Sequence, residues 1–252
     1  MVHLEHPGEL TLITPEELNI FQKCRLQWKF AKREDFTSLP VLNTYQLAIK
    51  KTLFQMYTYL QEKHKLLSLK QIKDRWDKNW YQQALDDKVY TNPEILDHTV
   101  NGWLLLESYW NKYYAQESLV PVGINFEFST FIYEIHYRIH TDLAFVDEEK
   151  HFHYRQFSLA KNEWEVYNHL STKLEIVGLN DCLKVSPINL RYFDLESRKT
   201  ELLERNLNIS PDYFRNSSMI ISDISSSIKN EIVYPCISNE CYTCKYSKQC
   251  WV

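Results

Sequence analysis

Apolar residues recur every three or four positions through the first half of the chain, which is the spacing of one face of a helix. The first helix is predicted to begin at Thr14-Pro15-Glu16-Glu17, where threonine caps, proline suits the first turn and glutamate completes a capping box. Three further helices are predicted, over Asn43 to about Leu67, Ser68 to Ala84 and Pro93 to Glu117. Together they form a helical segment ahead of any predicted strand.

From Val120 onward apolar and polar residues alternate, which is the period of a half-buried strand. Three antiparallel strands are predicted over Asn125 to Tyr133, Ile135 to Val146 and His151 to Leu159. The later elements are predicted as a helix from Glu163 to about Gly178, a strand from Pro187 to Leu195, and helices over Lys199 to Asn206 and Ser210 to Lys229. This order predicts an α/β (α+β) fold. No repeat or low-complexity linker divides the chain, so residues 1–252 are predicted to form one domain with a helical insertion at residues 43–118.

Composition narrows the function classes. The chain has 44% hydrophobic and 25% charged residues, as ordinary globular proteins do, and a net charge of -4 that gives no overall attraction to nucleic acid. Only four glycines occur, and no glycine-rich phosphate-binding motif is present. No secretory signal and no apolar run of membrane-spanning length is found, so a cytoplasmic protein without membrane contact is expected.

The chain contains six cysteines, and four of them lie in the tail at residues 235–252. Cys236, Cys241, Cys244 and Cys250 have the spacing C-x4-C-x2-C-x5-C. In a reducing compartment such a cluster indicates metal or cluster ligation. Three ligand sets stay open: a local four-thiolate zinc site, the last three cysteines with Cys24 as a distant partner, and a two-iron cluster of the plant ferredoxin type. Free, unligated thiols are the structural alternative.

The order of elements, taken with these cysteines, resembles the RecB-like branch of the P-D-(D/E)-x-K nuclease superfamily, specifically its iron–sulfur exonucleases. That group includes CRISPR-associated RecB-family exonucleases and the nuclease domain of the AddB helicase-nuclease subunit. The resemblance implies a restriction-endonuclease-like core with a mixed central sheet. It also implies a 4Fe–4S cluster on Cys24, Cys241, Cys244 and Cys250 that joins the N- and C-terminal segments, with Cys236 as an alternate ligand and zinc as the alternative metal.

The same resemblance assigns candidate catalytic positions. Nucleases of this kind hold Mg²⁺ or Mn²⁺ with acidic oxygens and use a lysine beside the attacking water. Asp142 stands at the family's metal-strand aspartate, but Gln156 and Ser158 stand where the second acid and the lysine belong. The helix from Tyr45 to Leu60, where the family places a histidine ligand, contains no histidine. The site is therefore predicted to be degenerate, with Glu127 as a remaining candidate acid and Mg²⁺ or Mn²⁺ expected only if the chain is active.

Basic and aromatic residues alternate along the end of the first helix. Its five cations are Lys23, Arg25, Lys29, Lys32 and Arg33. They are candidates for contacts to the phosphates of nucleic acid, and the alternative is a solvated helix face.

From these observations we expect a catalytically inactive, nuclease-like iron–sulfur protein that binds DNA or scaffolds other subunits of a DNA-processing, transposition or defence complex. One alternative is an active Mg²⁺- or Mn²⁺-dependent DNA exonuclease with migrated catalytic residues. A second alternative is a zinc-knotted protein-interaction module.

Overall fold

A five-stranded mixed sheet forms the centre of the protein. The structure is a computed structural model that describes residues 13–32, 44–86, 92–158, 168–183, 187–195, 203–230, 239–242, 244 and 246–250. The strands, which neighbour one another in chain order, are β1 (Pro121–Ile132), β2 (Ile135–Val146), β3 (Phe152–Ser158), β4 (Pro187–Asp194) and β5 (Leu203–Asn208). All neighbouring pairs are antiparallel except β3 and β4, which are parallel. The predicted α+β fold class is confirmed.

The predicted meander and the predicted fourth strand are confirmed, but one predicted helix is wrong. Residues 203–206 lie in β5 and not in a helix, with Asn208 paired to Asn189 and Leu203 paired to Asp194 of β4. An isolated helix of this length is only marginally stable even with good helix formers such as leucine, glutamate and arginine, so pairing with β4 outweighs it. The proposed helix start at Glu163 lies outside the described residues.

Cys24 interrupts the predicted N-terminal helix. Helix α1 (Pro15–Lys23) has the predicted capping box between Thr14 and Glu17, and helix α2 (Arg25–Lys32) follows after one extended residue. That residue, Cys24, has φ -157° and ψ 114°, and its Sγ accepts from the Gln27 backbone N–H at 3.4 Å. Cys24 thus caps the N-terminus of α2, and its own extended backbone belongs to neither helix.

The helical segment packs against one face of the sheet. It consists of α3 (Thr44–Lys63), α4 (Leu69–Asp86), α5 (Asn92–Lys112) and a 3₁₀ turn (Tyr114–Gln116). Trp76 and Trp80 are fully buried inside it and stack with ring centroids 5.8 Å apart. Its buried face continues into Phe145, Phe157 and Phe193 of the sheet. The helical segment is therefore anchored to the sheet by an aromatic core.

The opposite face of the sheet carries α6 (Leu170–Leu183), which connects β3 to β4, together with α1 and α7 (Pro211–Lys229). A Cβ on Gly178 of α6 would lie 1.9 Å from Ile139 Cδ1, so a larger residue here would force the Ile139 side chain to move. The tail ends in a 3₁₀ turn (Asn239–Tyr242) and a short helix α8 (Ser247–Cys250). None of the described helices has both the length and the apolar character needed to cross a membrane. The division into one domain with an insertion stays a prediction.

Candidate functional site

Asp142 lies where strand β2 changes the side on which it presents its residues. Thr141 contacts helix α6 on one face, whereas Leu143 packs into the aromatic core on the other. Between the cross-strand pairs Phe126–Thr141 and Ile124–Leu143 lies Asn125, whose φ is 46°. Asparagine tolerates this left-handed conformation better than most residues. The local twist aims the Asp142 side chain toward α3, where it is fully buried.

Both oxygens of the Asp142 carboxylate have partners. Lys50 Nζ, from helix α3, lies 2.8 Å from Oδ1. The backbone N–H of Phe157 donates to Oδ2 at 2.7 Å. His140 Nδ1 lies farther away, 3.6 Å from Oδ1. A buried carboxylate costs several kcal/mol unless it is paired and hydrogen-bonded, and this one is.

A second carboxyl group lies close by, on helix α6. Glu175 is 5% exposed and accepts hydrogen bonds from Thr141 Oγ1 at 2.7 Å and from Gln156 Nε2. Burial raises the pKa of Glu175 to about 8, and the charge of Asp142 adds to the rise, while both hydrogen bonds and Lys50 oppose it. Glu175 is therefore largely protonated at neutral pH.

Replacing Glu175 by glutamine is expected to flatten the pH dependence of stability. The folded-state pKa of about 8 exceeds the unfolded value, so the folded state binds the extra proton and wild-type stability falls as pH rises from about 4.5 through 8. The wild type should lose about 4 kcal/mol relative to Glu175→Gln across this range. Urea unfolding at several pH values measures the difference, and Glu62→Gln, at an exposed position of α3, should leave the wild-type slope intact.

Of the other sequence-predicted catalytic residues, Gln156 contacts Glu175 in this site, whereas Glu127 lies at the surface. Gln156 lies next to the Leu143–Arg155 pair and also donates to the backbone carbonyl of His140 at 3.3 Å. Ser158 is the last residue of β3 and is paired in register with Asp194, but the structure does not describe its side chain. Glu127 faces outward, with its Oε1 3.1 Å from Arg138 Nε and its side chain 53% exposed.

Sequence reasoning missed Lys50 and Glu175. Lys50 lies on the stripe of α3 formed by Gln46, Ile49 and Leu53, the spacing of a helix face that contacts the core. Glu175 belongs to a run in α6 that is buried from residue 172 to residue 179. A charged residue among the apolar positions of a helix face could have predicted both sites, because charged residues are rarely buried without partners.

The four cysteines that the resemblance brings together are close in space. Burial raises the pKa of the Cys250 thiol, and the neighbouring Cys24, Cys244 and Cys241 raise it further. Among the described residues, no group of three or more His, Cys, Asp or Glu side chains is placed so that it could hold a metal ion. Cys236 lies outside the described residues, and Cys182 is exposed near the end of α6.

Aromatic packing joins the same two chain ends. The ring of Phe30, on α2, lies 5.5 Å from that of Tyr246, which is 2% exposed between Cys244 and Cys250. The N-terminal helix and the C-terminal tail are therefore in direct contact.

The basic helix residues are only partly available to a ligand. Lys23 is exposed, whereas Lys29 is half-buried. Arg25 Nη1 donates to Ser227 Oγ at 3.3 Å, and its guanidinium lies 5.2 Å from the centre of the Phe21 ring. Lys32 is the last residue of α2, and Arg33 lies outside the described residues.

Comparisons with known proteins support the fold. No family model matches the chain, and no curated protein matches it. A crystal structure described as a "putative exonuclease" from Eubacterium rectale is similar with a TM-score of 0.57 and 10% sequence identity, covering 93% of this chain and 87% of that chain. The crystal structure of SSO0001 is 13% identical over 90% of this chain and 95% of that chain, at a TM-score of 0.32 that adds nothing to the assignment. The chain has a nuclease-like α+β fold.

Proposed function

We propose that this chain is a catalytically inactive, nuclease-like protein of the iron–sulfur exonuclease type that binds nucleic acid or scaffolds the subunits of a DNA-processing, transposition or defence complex. The observation that carries the proposal is the state of Asp142. Its carboxylate is buried and neutralised by Lys50, and the neighbouring acid position holds Gln156. Hydrolysis assisted by a metal requires a carboxylate that is open to the metal and to the substrate.

A cluster held by Cys24, Cys241, Cys244 and Cys250 is the second part of the proposal. Four thiols are a complete ligand set for a 4Fe–4S cluster, and the mutual effect of these four on the Cys250 pKa supports their grouping. When bound, the cluster would cross-link α2 to the tail.

The nucleic-acid part of the proposal rests on the nuclease-like fold and on the cations at the end of α1 and along α2. Lys23 is the most accessible of the described cations there, and phosphate contacts by such residues are sensitive to salt. The negative net charge means that binding must come from a local surface. A local binding surface of this kind is sufficient for a scaffolding subunit.

Anaerobically purified protein is expected to leave single-stranded DNA, duplex DNA and RNA intact in the presence of Mg²⁺ or Mn²⁺. The Asp142→Ala variant should give the same result as the wild type in this degradation assay.

Binding of fluorescent single-stranded DNA should weaken about threefold to tenfold in Lys23→Glu, since one phosphate contact is lost and one repulsion is added. Lys51→Glu, at an exposed position of α3, is the control that should change binding little. Metal-dependent degradation that Asp142→Ala removes would overturn the proposal.

One observation favours a second candidate, an active exonuclease with migrated residues. Glu175 supplies a carboxyl group beside Asp142, and Lys50 supplies an amine. Degradation lost equally in Asp142→Ala, Glu175→Gln and Lys50→Met would establish this candidate.

A further inference from the structure

Lys50 extends from helix α3 into the space where the resemblance would place a metal ion. The residue is 16% exposed, and its Nζ lies 2.8 Å from Asp142 Oδ1 and 5.7 Å from the centre of the Phe54 ring. One turn earlier in α3, Gln46 Nε2 donates to the carbonyl of Leu195 at 3.0 Å, which fixes the helix against the sheet. The ammonium is thus held in place by the packing of the helical segment.

The donor set around Asp142 does not fit Mg²⁺ or Mn²⁺. These cations require several hard oxygen ligands, normally with more than one negative charge. Here Lys50 engages Oδ1 and the Phe157 N–H engages Oδ2. Gln156 uses its amide nitrogen to donate to Glu175 and to the carbonyl of His140. The site therefore offers one charged carboxylate, and that carboxylate already has a cation.

We propose that the Lys50 ammonium is the resident cation of this site and replaces the divalent metal of active relatives. The inference rests on the proposed function and specifies how the fold keeps its metal-site aspartate without a metal. It also assigns a positioning role to Lys50: the ion pair joins α3 of the helical segment to β2 of the sheet. The ion pair gives the buried Asp142 carboxylate a cation before any ligand binds.

The test is thermal unfolding with and without millimolar MnCl₂. Mn²⁺ should not raise the melting temperature of the wild type by binding at Asp142, because Lys50 already pairs with that carboxylate. Lys50→Met should melt about 10 °C lower, because a buried carboxylate loses its partner. Mn²⁺ should then raise the melting temperature of Lys50→Met, since the cation binds the folded state. The double variant Lys50→Met/Gln156→Glu adds a second negative charge. It should therefore reach the same rise in melting temperature at one-tenth of the Mn²⁺ concentration or less.

Two controls separate charge from packing. Lys51→Met, at the exposed neighbouring position, should melt with the wild type and ignore Mn²⁺. Lys50→Met/Asp142→Asn removes both charges, so it should fold even if Lys50→Met does not, and it should also ignore Mn²⁺. A double variant that fails to fold would overturn the inference, because Lys50 would then act by packing.

Two further outcomes would also overturn it. One is a wild-type Mn²⁺ response that Asp142→Asn abolishes, and the other is a Lys50→Met protein with wild-type stability or no response to Mn²⁺. These results are distinct from failure of the proposed function. Degradation of DNA by the wild type contradicts inactivity, whereas a Mn²⁺ response at Asp142 without degradation contradicts only the role of Lys50.

Discussion

Replacing Arg155 by methionine is expected to lower the free energy of unfolding by about 3–5 kcal/mol, because a buried carboxylate then loses its cation. Arg155 is 8% exposed, and its Nη1 lies 2.5 Å from Oε2 of Glu117, which is 5% exposed. The same nitrogen donates to the Tyr57 hydroxyl at 2.5 Å, and that hydroxyl is 2.7 Å from the hydroxyl of Tyr109. Urea unfolding at neutral pH measures the loss.

The environment keeps Arg155 charged. Burial favours the neutral form, but the neighbouring Tyr57, Tyr109 and Glu117 outweigh it and raise the pKa of Arg155. Burial also raises the pKa of Tyr57 well above its ordinary value, so its hydroxyl stays neutral and acts only as a hydrogen-bonding group. Glu117 is consequently the counter-ion. Since Glu117 follows the 3₁₀ turn that ends the helical segment, the pair fastens that segment to β3.

A surface pair of the same chemistry provides the control. Arg191 Nε lies 3.5 Å from Glu204 Oε1, with the two side chains 40% and 26% exposed, so Arg191→Met should cost about 0–1 kcal/mol. Arg155→Met/Glu117→Met should recover much of the loss, since no unpaired charge remains. Equal costs for the Arg155 and Arg191 variants would show that the buried pair does not hold the helical segment to the sheet.

Much of the fold follows from local patterns in the sequence. The alternation from Asn125 to Leu159 predicted the meander because its two hairpins join strands that are neighbours in the chain. The capping box at Thr14 marked its helix start correctly, since capping uses side chains three residues apart. Such features depend on neighbours in the chain and are visible without the structure.

The parts that failed depend on distant partners. Strand β5 forms because it pairs with β4. The sequence of residues 203–208 contains no local pattern that predicts this pairing. The partnership of Lys50 with Asp142 spans more than ninety positions and depends on the twist of β2 at Asn125. Asp142 and Gln156 were found through the resemblance, which supplies positions. It does not supply the residues that neutralise them.

The largest effect is expected from Cys24→Ser, which should abolish incorporation of iron. If the proposed cluster is held by Cys24 and the three tail cysteines, removing the one ligand that comes from α2 leaves an incomplete set. Ligation of the cluster stabilises the folded state. A variant without the cluster therefore also loses the stability gained from linking the two ends of the chain. Iron and sulfide analysis of anaerobically purified protein measures this, with about four irons per chain expected in the wild type and more than a tenfold loss in the variant.

Two cysteine variants decide between the ligand sets. Cys182→Ser is the matched control, because Cys182 is exposed and outside the group that perturbs Cys250, and it should retain full iron. Cys236→Ser should also retain iron if Cys24 is the fourth ligand. Loss of metal in Cys236→Ser but not in Cys24→Ser, with stoichiometric zinc in a colourless wild type, would establish the local zinc knot instead. The contact of Phe30 with Tyr246 would then be packing alone, and the two chain ends would meet without a shared metal centre.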